Sequence, residues 1–283
     1  LHLSIRRQRQ MCIRDREYRY NYFYDNCSTR PRDIFEKYIN GKIEYTPTNK
    51  EQTYRDLVIE CTSSRQWFRF GINLVIGADA DKVITDRQKD FLPRYLMNAY
   101  EGATIAGDSI PRNILLSTTT ILEAKPFEKD FLVTPLYAGI ILLIISALVS
   151  YIVHKKQMAG LGKAFDTILF LIAGIAGCII FFLMFFSVHP CTSPNWNIIW
   201  LNPLQLIVAL LFFVKSLSKC IYYYHFINFV ALLAFLLAWN LIPQQLEITF
   251  IPFILSIGLR SFMNILQQKK FKKKADYSLP RAK

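Results

Sequence analysis

The residue best suited to chemistry in this sequence is Cys27, because two sequence patterns meet there. Before it, aromatic and polar residues alternate over residues 18–24, which predicts a strand or extended segment. After it, apolar residues recur at helical spacing, Pro31 falls in the first turn, and Asn40-Gly41 supplies a stop, which predicts a short helix. The thiol is therefore expected at a helix N-terminus, where unpaired N–H groups and the positive end of the dipole stabilise a thiolate.

A nucleophilic cysteine also needs a base, which is usually a histidine. Three of the four histidines are unsuited to this role. His154 and His225 fall on the side predicted below to be cytoplasmic, and His2 lies in residues 1–16, a leader predicted to be of foreign origin. The fourth, His189, lies in an outer loop on the same side as Cys27. Three alternatives stay open: His189 is the base, His189 is a solvated loop residue, or the true base lies upstream.

The competing interpretation of Cys27 is structural. It could be a buried thiol, or it could pair with Cys61, which lies on the same oxidising side of the membrane. Spacing alone supports a structural and a catalytic role equally. No cysteine or histidine spacing predicts a metal site, and no cofactor is expected. The acidic pair Asp79 and Asp81 is predicted to cap a helix.

Composition divides the chain into two parts that suit different solvents. Residues 1–130 contain 21 Lys and Arg and 18 Asp and Glu, whereas residues 131–283 contain 13 and 3. A net charge of +13 is also found in nucleic-acid-binding proteins. Here, however, most of the excess lies in short loops and a tail beside apolar runs, where cytoplasmic cations belong. A membrane is therefore an expected partner, and nucleic acid is not.

Five apolar segments are long enough to cross a bilayer core of about 30 Å as helices. Asp166 lies near the start of the second segment. Arg260 interrupts the last one, and its long side chain is expected to reach the headgroups. The five predicted spans are residues 131–153, 165–188, 196–214, 221–239 and 248–265.

Loop charges predict the orientation, because Lys and Arg accumulate on the cytoplasmic side. Lysines follow the first, third and fifth spans, whereas the loops after the second and fourth contain neither Lys nor Arg. The polar part is therefore predicted outside and the C-terminus inside. The predicted organisation is a leader of foreign origin, an outer domain, a membrane domain and a basic cytoplasmic tail: residues 1–16, 17–130, 131–268 and 269–283.

Four ordered motifs carry a resemblance to a known family. They are Asp25-Asn26-Cys27-Ser28-Thr29-Arg30-Pro31-Arg32-Asp33-Ile34, Gly77-Ala78-Asp79-Ala80-Asp81, Phe91-Leu92-Pro93-Arg94-Tyr95-Leu96 and Asn197-Ile198-Ile199-Trp200-Leu201-Asn202-Pro203-Leu204. Over residues 17–270 the chain resembles the Lnb-type lipoprotein N-acyltransferases, also described as DUF4105. The resemblance implies an α+β papain-like periplasmic domain, present in part, followed by an all-α bundle of five transmembrane helices. The implied location is the bacterial inner membrane.

The resemblance also implies an activity, that of a thiol acyltransferase. Cys27 would take a fatty acyl chain from a phospholipid as a thioester and pass it to the N-terminal amine of a diacylglyceryl-cysteine lipoprotein. The implied partners are thus a phospholipid donor and a lipoprotein acceptor. Residues that would support Cys27 comprise Asp25 and Asn26 in the turn, Arg30 beside the thiolate or a phosphate, and the membrane-loop residues His189, Asn195 and Asn202. For Arg30 the alternative of a purely structural salt bridge stays open.

One departure from the family pattern stands out. The family's domain extends upstream of the Asp-Asn-Cys motif and includes a Gly-His motif that would supply the base, and no such motif precedes Cys27. The chain is therefore expected to be a truncated and inactive form. Two other functions stay open: a papain-like peptidase or amidase of the cell wall, and a non-catalytic membrane scaffold.

Overall fold

The computed structural model describes residues 18–48, 50–107, 111–123 and 133–278. They form two compact units, here called the outer unit and the membrane unit. The described parts of the outer unit are residues 18–54 and 83–123, and those of the membrane unit are residues 55–82 and 133–278. The compact units thus differ from a division near residue 130, because residues 55–82 group with the spans. The leader predicted at residues 1–16 and the last five residues of the tail lie outside the described residues.

The described residues up to 123 form short helices and three short strands. In chain order they are α1 (Thr29–Tyr38), β1 (Lys42–Glu44), α2 (Tyr54–Thr62), α3 (Gln66–Val75), α4 (Asp86–Lys89), α5 (Pro93–Glu101), β2 (Thr104–Ala106) and β3 (Arg112–Asn113). The strands make an antiparallel sheet in the order β1-β2-β3, with Ile43 opposite Ile105. The predicted stop after α1 is confirmed, since Gly41 has a φ of +113°, which favours glycine.

The alternating tyrosines do not form the predicted strand. Residues 21–25 make a tight turn in which Asn21 and Asp25 exchange backbone hydrogen bonds of 2.9 and 3.0 Å. Phe23, at the tip of this turn, is the buried residue, and its ring centroid lies 4.6 Å from that of Tyr54 and 5.3 Å from that of Phe91. Burial of this one phenylalanine decides the local conformation, and it leaves the neighbouring tyrosines exposed.

The second half of the chain is helical. Its helices are α6 (Pro135–Lys156), α7 (Ala159–Phe185), α8 (Leu204–Leu211), α9 (Ser218–Leu237) and α10 (Ile251–Ser278). Among the residues that the structure describes, four stretches are long and apolar enough to cross a membrane: Pro135–Lys156, Ala159–Phe185, Ser218–Leu237 and Ile248–Gln268. These correspond to the first, second, fourth and fifth predicted spans.

The third predicted span differs from the prediction. Residues 196–214 contain a single 3-10 turn, Trp196–Ile199, and then the eight-residue α8, with a break at Asn202-Pro203. Pro203 has no N–H to donate and disfavours helical geometry in the preceding residue, so a continuous helix cannot form. The apolar stretch Trp196–Leu211 is therefore shorter than the four others.

The broken segment lies directly against the glycines of α7. A Cβ atom built on Gly174 would lie 2.2 Å from the backbone nitrogen of Leu206, and one on Gly177 would lie 2.6 Å from the carbonyl carbon of Asn202. Small residues at helix interfaces permit such close backbone contact in membranes. Because Gly174 and Gly177 have no side chains, the broken segment can pack directly on the backbone of α7.

We expect Gly174→Ala to destabilise the membrane unit by about 1–3 kcal/mol, because the added methyl group meets backbone and not a movable side chain. The measurement is thermal unfolding of the full chain in detergent. Gly160→Ala, on the same helix but with nothing within 4 Å of the added methyl group, is the matched control and should not lower the melting temperature. Equal melting of both variants would contradict the close packing.

Residues 55–82 are fixed within the membrane unit by Arg55. Its buried guanidinium donates to the Asp81 carboxylate at 2.5 and 3.2 Å, and to the carbonyl oxygens of Ile76 and Gly77. Asp81 also accepts a bond from the backbone N–H of Gln245 at 3.1 Å. The predicted helix-capping role of Asp81 is therefore wrong, since its carboxylate is an ion-pair partner of Arg55. Asp79 pairs with Lys82 at the surface.

Arg260 does not reach toward the headgroups as predicted. It is 0% exposed, and its guanidinium binds the Asp166 carboxylate at 2.6 and 3.0 Å and the Ser150 hydroxyl at 2.8 Å. Asn264 donates a further bond of 2.8 Å to Asp166. Three long helices, α6, α7 and α10, are thereby joined by one buried polar cluster, which satisfies charges that could not remain unpaired inside a membrane.

Candidate thiol active site

Hydrogen bonds around Cys27 form a turn that begins at Asn26, just before α1. The Asn26 side-chain oxygen accepts bonds from the backbone N–H groups of Ser28 at 2.8 Å and Thr29 at 3.0 Å. The Asn26 carbonyl accepts the N–H of Arg30 at 3.2 Å, as in the first helical turn. The Thr29 hydroxyl in return accepts the N–H of Asn26 at 2.8 Å. Cys27 thus lies in a capped turn that leads directly into α1.

Asn26 also fixes this helix start in the core of the outer unit. Its amide nitrogen donates to the carbonyl oxygens of Tyr22 and Phe91, both at 2.8 Å, and only 3% of the residue is exposed. The sequence interpretation missed the bonds that Asn26 makes at the start of α1. The available signal was the Asn-x-x-Thr spacing of Asn26 and Thr29, which is that of a reciprocal cap.

We expect Asn26→Ala to destabilise the outer unit by roughly 1–3 kcal/mol, because the change removes a cap and strands buried partners. The measurement is hydrogen exchange of the α1 amides in the full chain. Ser28→Ala is the matched control: Ser28 is also buried, but its side chain makes no capping bond. If both variants exchange like the wild type, the cap is not what orders Cys27.

Cys27 itself is exposed, and in the described part of the chain no two cysteines form a disulfide. The pairing with Cys61 that the sequence left open is therefore not made in this structure. The pKa of the Tyr20 phenol is raised, first by partial burial and then by its electrostatic interaction with Cys27. Because the Cys27 thiol is exposed, a substrate can reach it from the solvent.

The Arg30 guanidinium is held by Asp25 in a two-point ion pair, with distances of 2.8 and 3.1 Å, while its flat face lies 3.6 Å from the ring centre of Tyr18. Both charged side chains are about 40% exposed. The structure therefore shows the salt bridge that the sequence weighed against a role in binding a thiolate or phosphate. That second role stays a prediction.

Arg32 fixes the opposite side of α1. It is buried, and it binds the Asp90 carboxylate at 3.3 Å, the Arg87 carbonyl at 2.7 Å and the neighbouring Asp33. Burial raises the pKa of Asp90, although the Arg32 charge acts in the other direction. Because α1 is attached through both Asn26 and Arg32, the position of Cys27 is set by the fold and not by a mobile loop.

The other predicted site residues belong to the membrane unit. His189 is exposed in the loop after α7, and its Nδ1 atom lies 2.6 Å from the Ser187 hydroxyl. Asn195 is buried; its amide nitrogen donates to the Leu74 carbonyl at 2.9 Å, and its oxygen accepts the N–H of Asn197. Asn202 donates to the Ile199 carbonyl at 3.4 Å beside the helix break. Their catalytic roles stay predictions.

Two types of catalytic group are absent near Cys27 in the described residues of the outer unit. None of the four histidines lies between residues 18 and 123, so the described outer unit offers the thiol no imidazole. Within the described ranges, no group of three or more His, Cys, Asp or Glu side chains could hold a metal ion.

Comparison with known protein families gives two matches. Residues 126–272 match the family model described as the Lnb transmembrane domain, and residues 5–60 match the one described as the Lnb N-terminal periplasmic domain. The second match covers Cys27 and the whole of α1. Searches of curated proteins and of solved structures found no match to the chain.

Proposed function

The chain belongs to the Lnb family, and on that premise we propose that it is a membrane-bound lipoprotein N-acyltransferase with Cys27 as its nucleophile. The observation that carries the proposal is the exposed Cys27 thiol, held in the capped turn that leads into α1, in a chain whose described residues include four candidate membrane spans. Both substrates of such an enzyme are anchored in lipid, which explains why a thiol enzyme would be built into a membrane.

The proposed reaction has two steps. In the first, the Cys27 thiolate attacks an acyl ester carbonyl of a phospholipid, the ester C–O bond breaks, and the lysophospholipid alcohol leaves with a proton. In the second, the free amine of a diacylglyceryl-cysteine attacks the thioester carbonyl, an amide forms, and the C–S bond breaks to return the thiol. The helix N-terminus would favour the thiolate that both steps require.

The base is assigned to a histidine outside the described outer unit. The resemblance points to an upstream Gly-His motif, while His189 is the alternative within residues 133–278. A base must reach the thiol within about 3 Å, directly or through one water. His189→Ala separates the two, because it abolishes activity only if His189 is that base.

The proposed location is the bacterial inner membrane, with the outer unit periplasmic and the C-terminus cytoplasmic. Lys155 and Lys156 lie in the last turn of the first span, and Lys219 lies at the start of α9, whereas the loops after α7 and α9 contain neither Lys nor Arg. This distribution follows the positive-inside rule. The proposal counts five membrane segments, with the broken segment around α8 as the third.

The test is capture of the acyl-enzyme. The protein is expressed from its own chromosomal locus, so that any upstream Gly-His motif is included, and is purified from membranes without reducing agents. The peptide that contains Cys27 should carry a fatty acyl chain, which neutral hydroxylamine removes because it cleaves thioesters. The peptide that contains Cys61, another exposed cysteine, is the internal control and should carry none. If neither peptide is acylated after incubation with fresh phospholipid, the proposal is wrong.

A further inference from the structure

We propose that α3 is a lipid-contacting helix that lies in the outer boundary of the bilayer and presents Trp67 and Phe68 to phospholipid. This inference does not depend on the acyltransferase activity. It concerns residues 66–75, which lie far along the sequence from any predicted span yet belong to the membrane unit.

The position of α3 is fixed by contacts with the ends of the spans. The Trp67 indole nitrogen donates to the Val133 carbonyl at 2.8 Å, two residues before α6 begins. Phe70 packs against Phe250 and Phe253 at the start of α10, with ring centroids 5.2 and 5.5 Å apart. These are the ends of α6 and α10 that lie away from the lysines, so α3 lies at the periplasmic boundary.

Polar bonds fix α3 at both of its ends. Near the start, the Arg69 guanidinium pairs with Glu247 at 2.7 Å. At the other end, the amide groups of Asn195 and Asn197 donate to the carbonyl of Leu74 at 2.9 and 3.1 Å. Such bonds satisfy carbonyl groups that a helix C-terminus otherwise leaves unpaired. The helix therefore has one orientation relative to the spans.

In that orientation α3 exposes large apolar side chains. Phe68 is 58% exposed and Trp67 is 38% exposed, and a Cβ atom added to Gly71, one turn further along, would meet nothing within 4 Å. The same helix buries Asn73 and packs Phe70 inward. The helix thus exposes two large aromatic side chains, Trp67 and Phe68, on a face that does not suit water.

The exposed face of α3 continues the lipid-facing surface of the first span. Val133, whose carbonyl accepts the Trp67 bond, is itself exposed, and so are Leu136 and Tyr137 in the first turn of α6. Trp and Tyr, which combine an apolar ring with one polar group, are the side chains that favour the headgroup boundary of a bilayer. Phospholipid is therefore the occupant that the surroundings support, and a protein partner is the alternative outcome of the test.

The experiment places a photoreactive benzoylphenylalanine at position 68 of the full chain in native membranes. Irradiation should attach one phospholipid to the peptide that contains residue 68, detected as a mass increase. The matched control carries the same group at Lys82, which is exposed in the same unit but pairs with Asp79. Lipid attachment at 68 that exceeds attachment at 82 by about tenfold supports the proposal.

Attachment of a protein at position 68, equal lipid attachment at both positions, or no attachment would each overturn it. A second measurement guards against a misfolded variant. In vesicles that contain brominated phospholipid, the wild-type chain should lose more tryptophan fluorescence than the Trp67→Phe variant loses. Equal quenching of the two proteins would place Trp67 outside the lipid and contradict the inference.

Discussion

Replacing Cys27 with serine at the chromosomal locus is expected to leave the lipoproteins of the cell with two acyl chains in place of three. A serine hydroxyl is far less acidic than a thiol and makes a poor nucleophile without an activated thiolate. Loss of a nucleophile typically lowers the rate of such enzymes about 10⁴-fold or more. Mass spectrometry of lipoprotein N-terminal peptides should show a free amine and a mass lower by one fatty acyl chain.

The matched control is Cys61→Ser, which removes another exposed cysteine and should leave lipoproteins unchanged. The outcome also separates the three functions that the sequence left open. Altered wall fragments with normal lipoproteins would favour a peptidase or amidase. No change in either would favour a scaffold in which Cys27 is structural, and would end the acyltransferase proposal if the variant protein accumulates normally.

Arg260→Met is expected to destabilise the membrane unit by about 3–5 kcal/mol, because it leaves the Asp166 carboxylate buried without its counter-ion. The reason is that removal of one partner from a buried ion pair retains the desolvation of the other. Thermal unfolding of the full chain in detergent or nanodiscs provides the measurement. The double variant Arg260→Met with Asp166→Leu should recover most of the lost stability, because neither charge remains.

Lys82→Leu is the matched control, since it breaks a surface ion pair with Asp79 in the same unit and should leave the melting temperature unchanged. If Arg260→Met melts like the wild type, the Arg260 pair contributes no stability. If the double variant is as unstable as the single one, the polar cluster with Ser150 and Asn264 matters more than the charge pair itself.

Hydropathy was sufficient to predict four spans, because each is a continuous apolar helix whose stability depends on residues close in sequence. Their ends were less predictable. The second helix begins at Ala159, six residues before the predicted span, and Asp166 within it is buried in a pair with Arg260. A pairing across 94 residues leaves no local signal. The same limit hid the bond between Arg55 and Asp81.

The candidate site was predictable to the extent that its determinants are local. Cys27 at a helix start, and the stop at Asn40-Gly41, follow from spacing alone, and both are present. The tyrosine alternation was misleading, because burial of Phe23 against Phe91 overrides the local strand preference. Asn195 was predicted to support Cys27, and that role stays a prediction. The bond from its amide nitrogen to the Leu74 carbonyl of α3 was not predictable from local sequence. The resemblance identified the family but could not supply these contacts.

The break at Asn202-Pro203 also bears on how the protein is made. A segment interrupted by proline leaves backbone groups that a bilayer cannot satisfy, so it is a poor candidate for independent insertion. Here the break lies on Gly174 and Gly177 of the preceding helix, within a backbone contact that only glycine permits. During biosynthesis, the third segment is thus expected to insert into the membrane together with α7, because its own hydrophobicity is insufficient. Gly174 and Gly177 would therefore determine the order in which the membrane unit assembles.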